Sequence, residues 1–438
     1  MLTKTSRRRE ARASSLATSL TGLVLAVTLL AACSIERALE VESPSRIPAG
    51  SLEHPSNAAL LVSGAVADFD CAFQAYVVVS GLIGEELDEY TQTAARWPYD
   101  RRDVQANQAQ YSTSSCEGLG VYTPLQTARV SADNVIRLLQ GWTDAEVPDR
   151  MALIARATAY EGWSQLLLGE GFCTTVFSSF QGNEFLYGSE ITREQALQAA
   201  EATFTEALTL LQGMSGASAD SLRYLALVGR ARTRLDLGNT TAARADAVLV
   251  PAGFVFQSTA SAVSGRRNNR VYSESNNIGV SVSVSAMYRA MNDPRVPYVN
   301  LNRPNALGVA AVGQLKYPSP SSPIPLASGA EAQLIVAEAD ATGSPSNAIA
   351  ILNTFRAAGG QGPYGGAVTA TAIRAEVIDQ RRRALFLTGT HLGDLIRYNI
   401  TPQPAAGAPF PAGGPYGAQV CMPLPDVERL NNPKLRGA

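Results

Sequence analysis

The chain has two histidines, His54 and His391. Neither lies beside a serine or cysteine in a nucleophile motif, so no acyl-transfer centre is written into the sequence. Carboxylates are the other chemistry-bearing groups with a pattern. Glu85, Glu86, Asp88 and Glu89 form an acidic cluster, and Glu85 and Glu89 share a face if the preceding helix runs through them. Such a group could hold a structural calcium ion, but the Asp-x-Asp-x-Asp-Gly spacing of a calcium loop is absent. It could serve a glycosidase, but that chemistry needs a second carboxyl at a set distance across a cleft, and the sequence marks none. A solvated helix end is the expectation. Gly359 to Gly366 is glycine-rich yet lacks the Lys-Ser/Thr of a phosphate-binding loop, and reads as a flexible turn. No CxxC pair occurs, so no zinc or other metal site is expected. These residues predict no enzyme and no cofactor. They direct attention to binding.

The N-terminus sets the compartment. Lys4, Arg7, Arg8, Arg9 and Arg12 precede an apolar run from Leu16 to Leu30, which ends in Leu30-Ala-Ala-Cys33. A basic start, a short apolar run and small residues before the break are the features of a secretory signal peptide over 1–32. The ending resembles the lipobox of bacterial lipoproteins, which implies that Cys33 carries the acyl chains. More than one chain is needed for a stable anchor. Residues 33–55, with Pro44, Pro48, Gly50 and Pro55, read as a tether. The formal charge of −2 becomes about −6 once the signal peptide leaves. An acidic chain without a basic block argues against nucleic acid. Four cysteines remain, Cys71, Cys116, Cys173 and Cys421, and an even number in an exported chain suggests disulfides. Three connectivities are open. The favoured one joins Cys71 to Cys116, stapling the loop after the first helix, and Cys173 to Cys421, tying the tail to a central helix.

The body is mainly α. Ser56 to about Gly84 reads as one long apolar helix, followed by a polar stretch over 91–120 without periodicity. Tyr122 to Leu139 and Asp149 to Gly169 carry helical spacing, and Trp142 and Trp163 fall on core-facing patterns. Arg193 to Leu211, Leu222 to Pro251 and residues 331–356 resemble degenerate tetratricopeptide helix pairs. Stacked pairs of this kind bury a continuous core and leave a concave face suited to binding. The division expected is a helical part over 56–252, an irregular segment with short strands over 253–328, and a helical C-terminal part over 329–438. In the middle segment Val280, Val282 and Val284 alternate with serine, as a strand would.

The C-terminal part carries the most specific pattern. Glu331-Ala-Gln-Leu-Ile-Val-Ala-Glu-Ala339 is followed by Gln380-Arg-Arg-Arg-Ala-Leu-Phe-Leu387 and by Gly393-Asp-Leu-Ile-Arg397. Met291-Asn-Asp-Pro-Arg295 lies upstream, and Cys421-Met-Pro-Leu-Pro425 leads to Asn432-Pro-Lys-Leu435. This order resembles the SusD/RagB family of outer-membrane nutrient-binding lipoproteins, across most of the mature chain. Gln380, Ala384, Thr388 and Gly393 depart from the family's usual residues, so local ion pairing should differ. Arg381, Arg382 and Arg383 cannot share one helix face, since neighbours lie ~100° apart. One of them should pair with a carboxylate, Asp394 or Glu376, in a structural role.

The resemblance implies a surface-exposed lipoprotein that binds a glycan, or a peptide, and passes it to a SusC-like TonB-dependent transporter. It also implies where the ligand face lies: on the loop after the first helix and on the irregular segment. The matching candidates are Trp97, Tyr99, Tyr111, Arg270, Tyr272, Asn276 and Asn277. Sugars offer apolar CH patches ringed by hydroxyls, which aromatic rings and planar polar side chains complement. The alternative is an envelope adaptor that uses its repeats to bind other proteins, with no nutrient ligand.

Overall fold

A computed structural model describes residues 52–91, 93–181, 184–276 and 280–436. Cys33, the stretch over 1–32 read as a signal peptide, and Asn277 lie outside the described residues. The compact unit is Pro55–Ala438.

Its axis is helix α1 (Ala58–Ile83), which is buried almost all round from Phe69 onward. Among the described residues it is the one helix long and apolar enough to cross a membrane, but its residues are core. A helix that is apolar on every side needs neighbours on every side. Helix α2 (Tyr122–Gln140) and helix α3 (Arg150–Gly171) pack on it. The stack continues through α4 (Arg193–Leu210), α5 (Ala217–Asp236), α6 (Thr240–Ala247), α7 (Gly329–Gly343) and α8 (Pro345–Ala358), each resting on the one before. Helix α9 (Ala370–Ala384) closes the stack against α7 and α8, and α10 (His391–Arg397) returns to α1. This is the helical-pair scaffold expected from the repeats.

Local chemistry fixes the helix ends. Thr192 and Gln195 form a reciprocal capping box at the start of α4. Asn239, Ser328 and Thr369 accept the first free amides of α6, α7 and α9. Glycine sets the spacing between neighbours. A Cβ on Gly162 would sit 2.9 Å from the Phe204 ring, and one on Gly229 would sit 2.4 Å from it. Phe204 on α4 is therefore clasped between α3 and α5 where both offer bare backbone. Trp163 packs edge-on against the same ring, 5.8 Å between centroids, and is fully buried. Trp142 is partly buried against the core.

The strands are short and paired two by two, all antiparallel. Strand β1 (Leu87–Glu89) pairs with β7 (Val282–Val284), and β2 (Thr174–Val176) with β5 (Glu190–Thr192). Strand β3 (Ser179–Gln181) pairs with β4 (Glu184–Leu186). Strand β6 (Val255–Ser258) pairs with β10 (Ile324–Ser328), and β8 (Tyr298–Asn300) with β9 (Val312–Gln314). Cys71 is bonded to Cys116 and Cys173 to Cys421, with Cα atoms 5.8 and 5.2 Å apart.

The three consecutive arginines part in three directions. Arg381 bonds Asp394 at 2.7 Å in the core. Arg382 lies over the Tyr288 ring, 5.3 Å from its centroid. Arg383 reaches Asp379 at 2.8 Å and Asp293 at 3.2 Å. Burial would raise the Asp394 carboxyl, but Arg381 and Arg397 outweigh it and hold the group at about 2. Gln380 is one of the departures from the resembled family's pattern. It accepts from Arg295 at 3.0 Å and donates to Gln361 and Glu376 at 2.7 and 2.9 Å, so it joins the network as a neutral bridge.

Candidate ligand-binding cleft

Two expectations about the stretch after α1 are corrected. The helix does not run through the acidic cluster. It stops at Ile83, Glu85 turns the chain at φ 70°, and Leu87 to Glu89 form β1. Glu85 and Glu89 therefore share no helix face. Nor is the cluster solvated: Glu85, Glu86 and Glu89 are buried and Asp88 is half-buried. The cause is tertiary. Strand β7, whose alternating valines are all buried, lies across this segment and removes it from water. The stretch over 91–120 is also less irregular than expected, holding short helices at Trp97–Arg101 and Ala109–Ser112.

These segments enclose a cleft of about 450 Å³, within the usual size of a small-ligand site. One side is acidic: Glu85, Asp88 and Glu89 from the turn and β1, and Asp100 from the short helix. The other sides are largely apolar. Ser285, Ala286 and Met287 follow β7, Val309 comes from the loop before β9, and Gln403, Pro404, Pro411 and Tyr416 come from the C-terminal loop.

That loop is held by Arg102, a residue in the left-handed conformation at φ 57°. Its guanidinium donates to the carbonyls of Gly417 and Gln403 at 3.3 Å each and to that of Pro404, and it covers the Tyr416 ring at 4.8 Å. Glu85 accepts the Gln403 amide from the opposite side. Phe410 packs edge-on against Tyr416 at 5.1 Å and meets Trp97 at 6.4 Å. An aromatic row, Trp97–Phe410–Tyr416, thus backs the cleft.

The acidic side has unusual electrostatics. Asp88 is pushed up from 3.8 to about 6 by burial, against the pull of Arg289 and the Ala286 amide. Asp100 is raised well above the carboxylate range by burial and then by Asp88, although its Oδ2 accepts the Glu89 amide at 2.7 Å. Two carboxyls this close in a low-dielectric site do not both ionise easily. Glu89 is also raised by burial, with Arg96 opposing.

This has a consequence for stability. An acid whose folded pKa lies above its unfolded one binds protons more tightly when folded. Its penalty is fully present above the folded value and disappears as pH falls towards the unfolded one. For Asp88 that window runs from about 6 down to 3.8. Glu161 adds the same sign from about 7, raised by burial and then by Asp133. Asp394, held at about 2, acts in the opposite sense only in stronger acid. The thermal midpoint should therefore rise as pH is lowered from about 8 to about 5.5, and Asp88→Asn should flatten part of that rise. A midpoint that falls steadily across this range in scanning calorimetry would refute the assignment.

The residues singled out from sequence separate into two groups. Trp97 is half-buried beside the cleft, its indole N–H donating to the Thr91 carbonyl at 3.1 Å. Tyr99 and Tyr111 are buried, and their placement on a ligand face is corrected. The Tyr99 hydroxyl donates to the Leu119 carbonyl at 2.9 Å, and that of Tyr111 contacts the carbonyls of Ala106 and Pro423 at 3.3 and 3.2 Å. They fasten the loop, since a phenol inside the core must find an acceptor. Arg270 is buried against Glu274 at 3.6 Å and donates to the Gly265 carbonyl at 3.0 Å. Asn276 is engaged by Gln314 and Ser275. Both are tied up structurally. Tyr272 is half-buried in the short helix Arg270–Ser275. None of the three described candidates from 270 onward, Arg270, Tyr272 and Asn276, lines the cleft. The sequence showed the acidic cluster but not its use; Met287, Val309 and Tyr416 carried no signal, because only folding brings them opposite it. Among the described residues, no three His, Cys, Asp or Glu side chains are grouped to hold a metal ion.

No protein-family model matches the sequence, and no curated protein sequence matches it. Solved structures do. A SusD superfamily protein from Bacteroides fragilis superposes with a TM-score of 0.66 at 12% identity, covering 87% of this chain and 99% of that one. A SusD-like carbohydrate binding protein from Bacteroides vulgatus gives 0.64 at 14%, covering 87% and 97%. Surface glycan-binding protein A from Bacteroides thetaiotaomicron, solved with laminarihexaose, gives 0.64 at 13%, covering 85% and 98%. At these identities the likeness is one of fold, and the fold of this chain is that of the SusD superfamily proteins.

Proposed function

We propose that this protein is a non-catalytic receptor that binds an oligosaccharide in the cleft, is anchored to the outer membrane through Cys33, and delivers its ligand to a SusC-like TonB-dependent transporter. The observation that carries the binding step is the cleft itself. It sets hydrogen-bond acceptors on one side and apolar surface with a tyrosine ring on the other, which suits hydroxyls around a CH face. Its scaffold is shared with a protein solved with laminarihexaose bound. The four carboxyl side chains come from one segment, residues 85–100, and the facing segments contribute none. A glycosidase needs two carboxyls flanking the scissile bond, so this disposition favours holding a glycan over cleaving it. The lipobox-like Leu30-Ala-Ala-Cys33 supports the anchor.

Titration calorimetry of the mature chain against a panel of oligosaccharides tests the binding step. At least one should bind with a Kd of roughly 1 mM or tighter, with no new reducing ends over a day. Absence of binding across the panel would sink the reading. Isolation from crosslinked membranes tests delivery, which predicts co-purification of a barrel protein with a plug domain.

A further inference from the structure

His391 opens α10 and is 3% exposed, yet neither of its ring nitrogens forms a hydrogen bond. Every imidazole carries at least one N–H, so a donor stands idle inside the core, which is costly. The ring is packed edge-on against Tyr288, 5.8 Å between centroids, and beside Gly84, where an added Cβ would come within 3.6 Å of it. Its Nε2 lies 4.0 Å from Oε2 of Glu85, about 1 Å beyond hydrogen-bond length. The other oxygen of Glu85, Oε1, accepts the Gln403 amide. One carboxylate therefore spans from His391 to the C-terminal loop, and Glu85, Gln403 and Pro404 all line the cleft. That wall has a second fastening, Arg102, on the carbonyls of Gln403 and Pro404. Arginine keeps its charge throughout the working range of pH. Imidazole is the side chain whose charge ordinarily changes between about pH 5 and 8.

We propose that His391 is a positioning residue for the cleft: its protonation draws Glu85 into a charged hydrogen bond and so tightens the Gln403–Pro404 wall in mild acid. This rests on the reading of the cleft as the ligand site. An imidazolium adds a charge-assisted donor, roughly twice as strong as a neutral one. The titratable groups facing the ring are Glu85 and Glu86 from the turn after α1, Tyr288 from the short helix after β7, and Asp394 from its own helix. Arg381 and Arg397 already satisfy Asp394. Glu86 accepts the Leu387 amide at 2.7 Å and has Lys316 and Arg382 as further cations. Glu85 faces Arg102, whose guanidinium is spent on backbone carbonyls. It is the carboxylate left to answer His391.

Hydrogen exchange on the mature chain tests this without a ligand. The protection factor of the Gln403 amide should rise at least about fivefold from about pH 8 to about pH 5.5. In His391→Gln, which keeps a donor near the Nε2 position but carries no titrating charge, it should vary by less than about twofold. Asp88, raised to about 6, titrates in the same window, and any contribution from it survives in His391→Gln. Proton NMR follows the trigger itself. The chain has two histidines, so His54→Gln leaves His391 as the single imidazole. Its signal should titrate along the same curve as the Gln403 protection, and Glu85→Gln should lower its midpoint by at least about half a pH unit. That readout stands even if His391→Gln does not fold. An imidazole that does not titrate between about pH 5 and 8 overturns the proposal, as does a midpoint unmoved by Glu85→Gln. A Gln403 protection factor that is flat in the wild type, or that varies equally in His391→Gln, overturns it too. Each of these outcomes leaves the glycan reading standing. If the exchange and NMR results hold and the oligosaccharide panel shows no binder, the wall is controlled by His391 and the glycan reading alone has failed.

Discussion

Arg232→Ala is expected to cost about 3–5 kcal/mol of folding stability, the range for breaking a buried ion pair by removing one partner. Arg232 on α5 is 3% exposed. Its guanidinium bonds Glu170 on α3 at 2.6 Å through Nε, and Nη2 donates to Glu170 and, at 2.7 Å, to the Gly389 carbonyl. Glu331 on α7 lies 3.8 Å away. One side chain thus joins three helices and the loop that leads into α10. Burial pushes Glu170 well above the carboxylate range, and Arg232 is the principal group opposing it. Without Arg232, two buried acids face each other with no cation between them, and they must take up protons or unfold the site. Urea titration measures the loss. The paired change Arg232→Met with Glu170→Gln should recover part of it, because the uncompensated charge goes too. Arg244→Ala provides the contrast. That arginine bonds Asp340 at 2.6 Å but its side chain is 40% exposed, and its removal should cost no more than about 1 kcal/mol. Equal losses for Arg232→Ala and Arg244→Ala would show that burial does not govern these pairs.

Ala286→Trp should abolish most ligand binding while leaving the fold alone. Ala286 is exposed, lines the cleft, and opens a short helix capped by Ser285, whose hydroxyl accepts the Tyr288 amide at 3.3 Å. Its own amide serves Asp88, and a change of side chain keeps that bond. An indole at this position enters the open volume between Asp88 and Tyr416 without displacing core atoms. Affinity for the best oligosaccharide should fall at least about a hundredfold, or ~2.7 kcal/mol. Unfolding should change by less than about 0.5 kcal/mol, as for other surface substitutions. Calorimetric titration and urea unfolding on the same preparation separate the two effects. Undiminished binding by a stable Ala286→Trp protein would place the ligand elsewhere on the molecule.

Much of the scaffold could be read from local pattern, because helices declare themselves over short range. Apolar spacing marked α1 to α3, and small residues marked the close approaches of the later pairs. The order of Glu331, Arg381, Asp394 and the Asn-Pro tail carried the resemblance that the fold shares. The mainly α class and its helical pairs followed from these residues by themselves. What the sequence could not decide was which polar groups would lose their water. Glu85 to Glu89 look like a solvated helix end, since nothing nearby announces that β7, nearly two hundred residues later, will cover them. Tyr99 and Tyr111 look like ligand-facing aromatics, yet their acceptors are carbonyls at Leu119, Ala106 and Pro423 that only the folded tail and loop supply. The cleft joins residues 85–100 to 285–309 and 403–416. Local sequence determined the helices; the burial that raises Asp88, and the wall that faces it, exist only once distant segments are packed together.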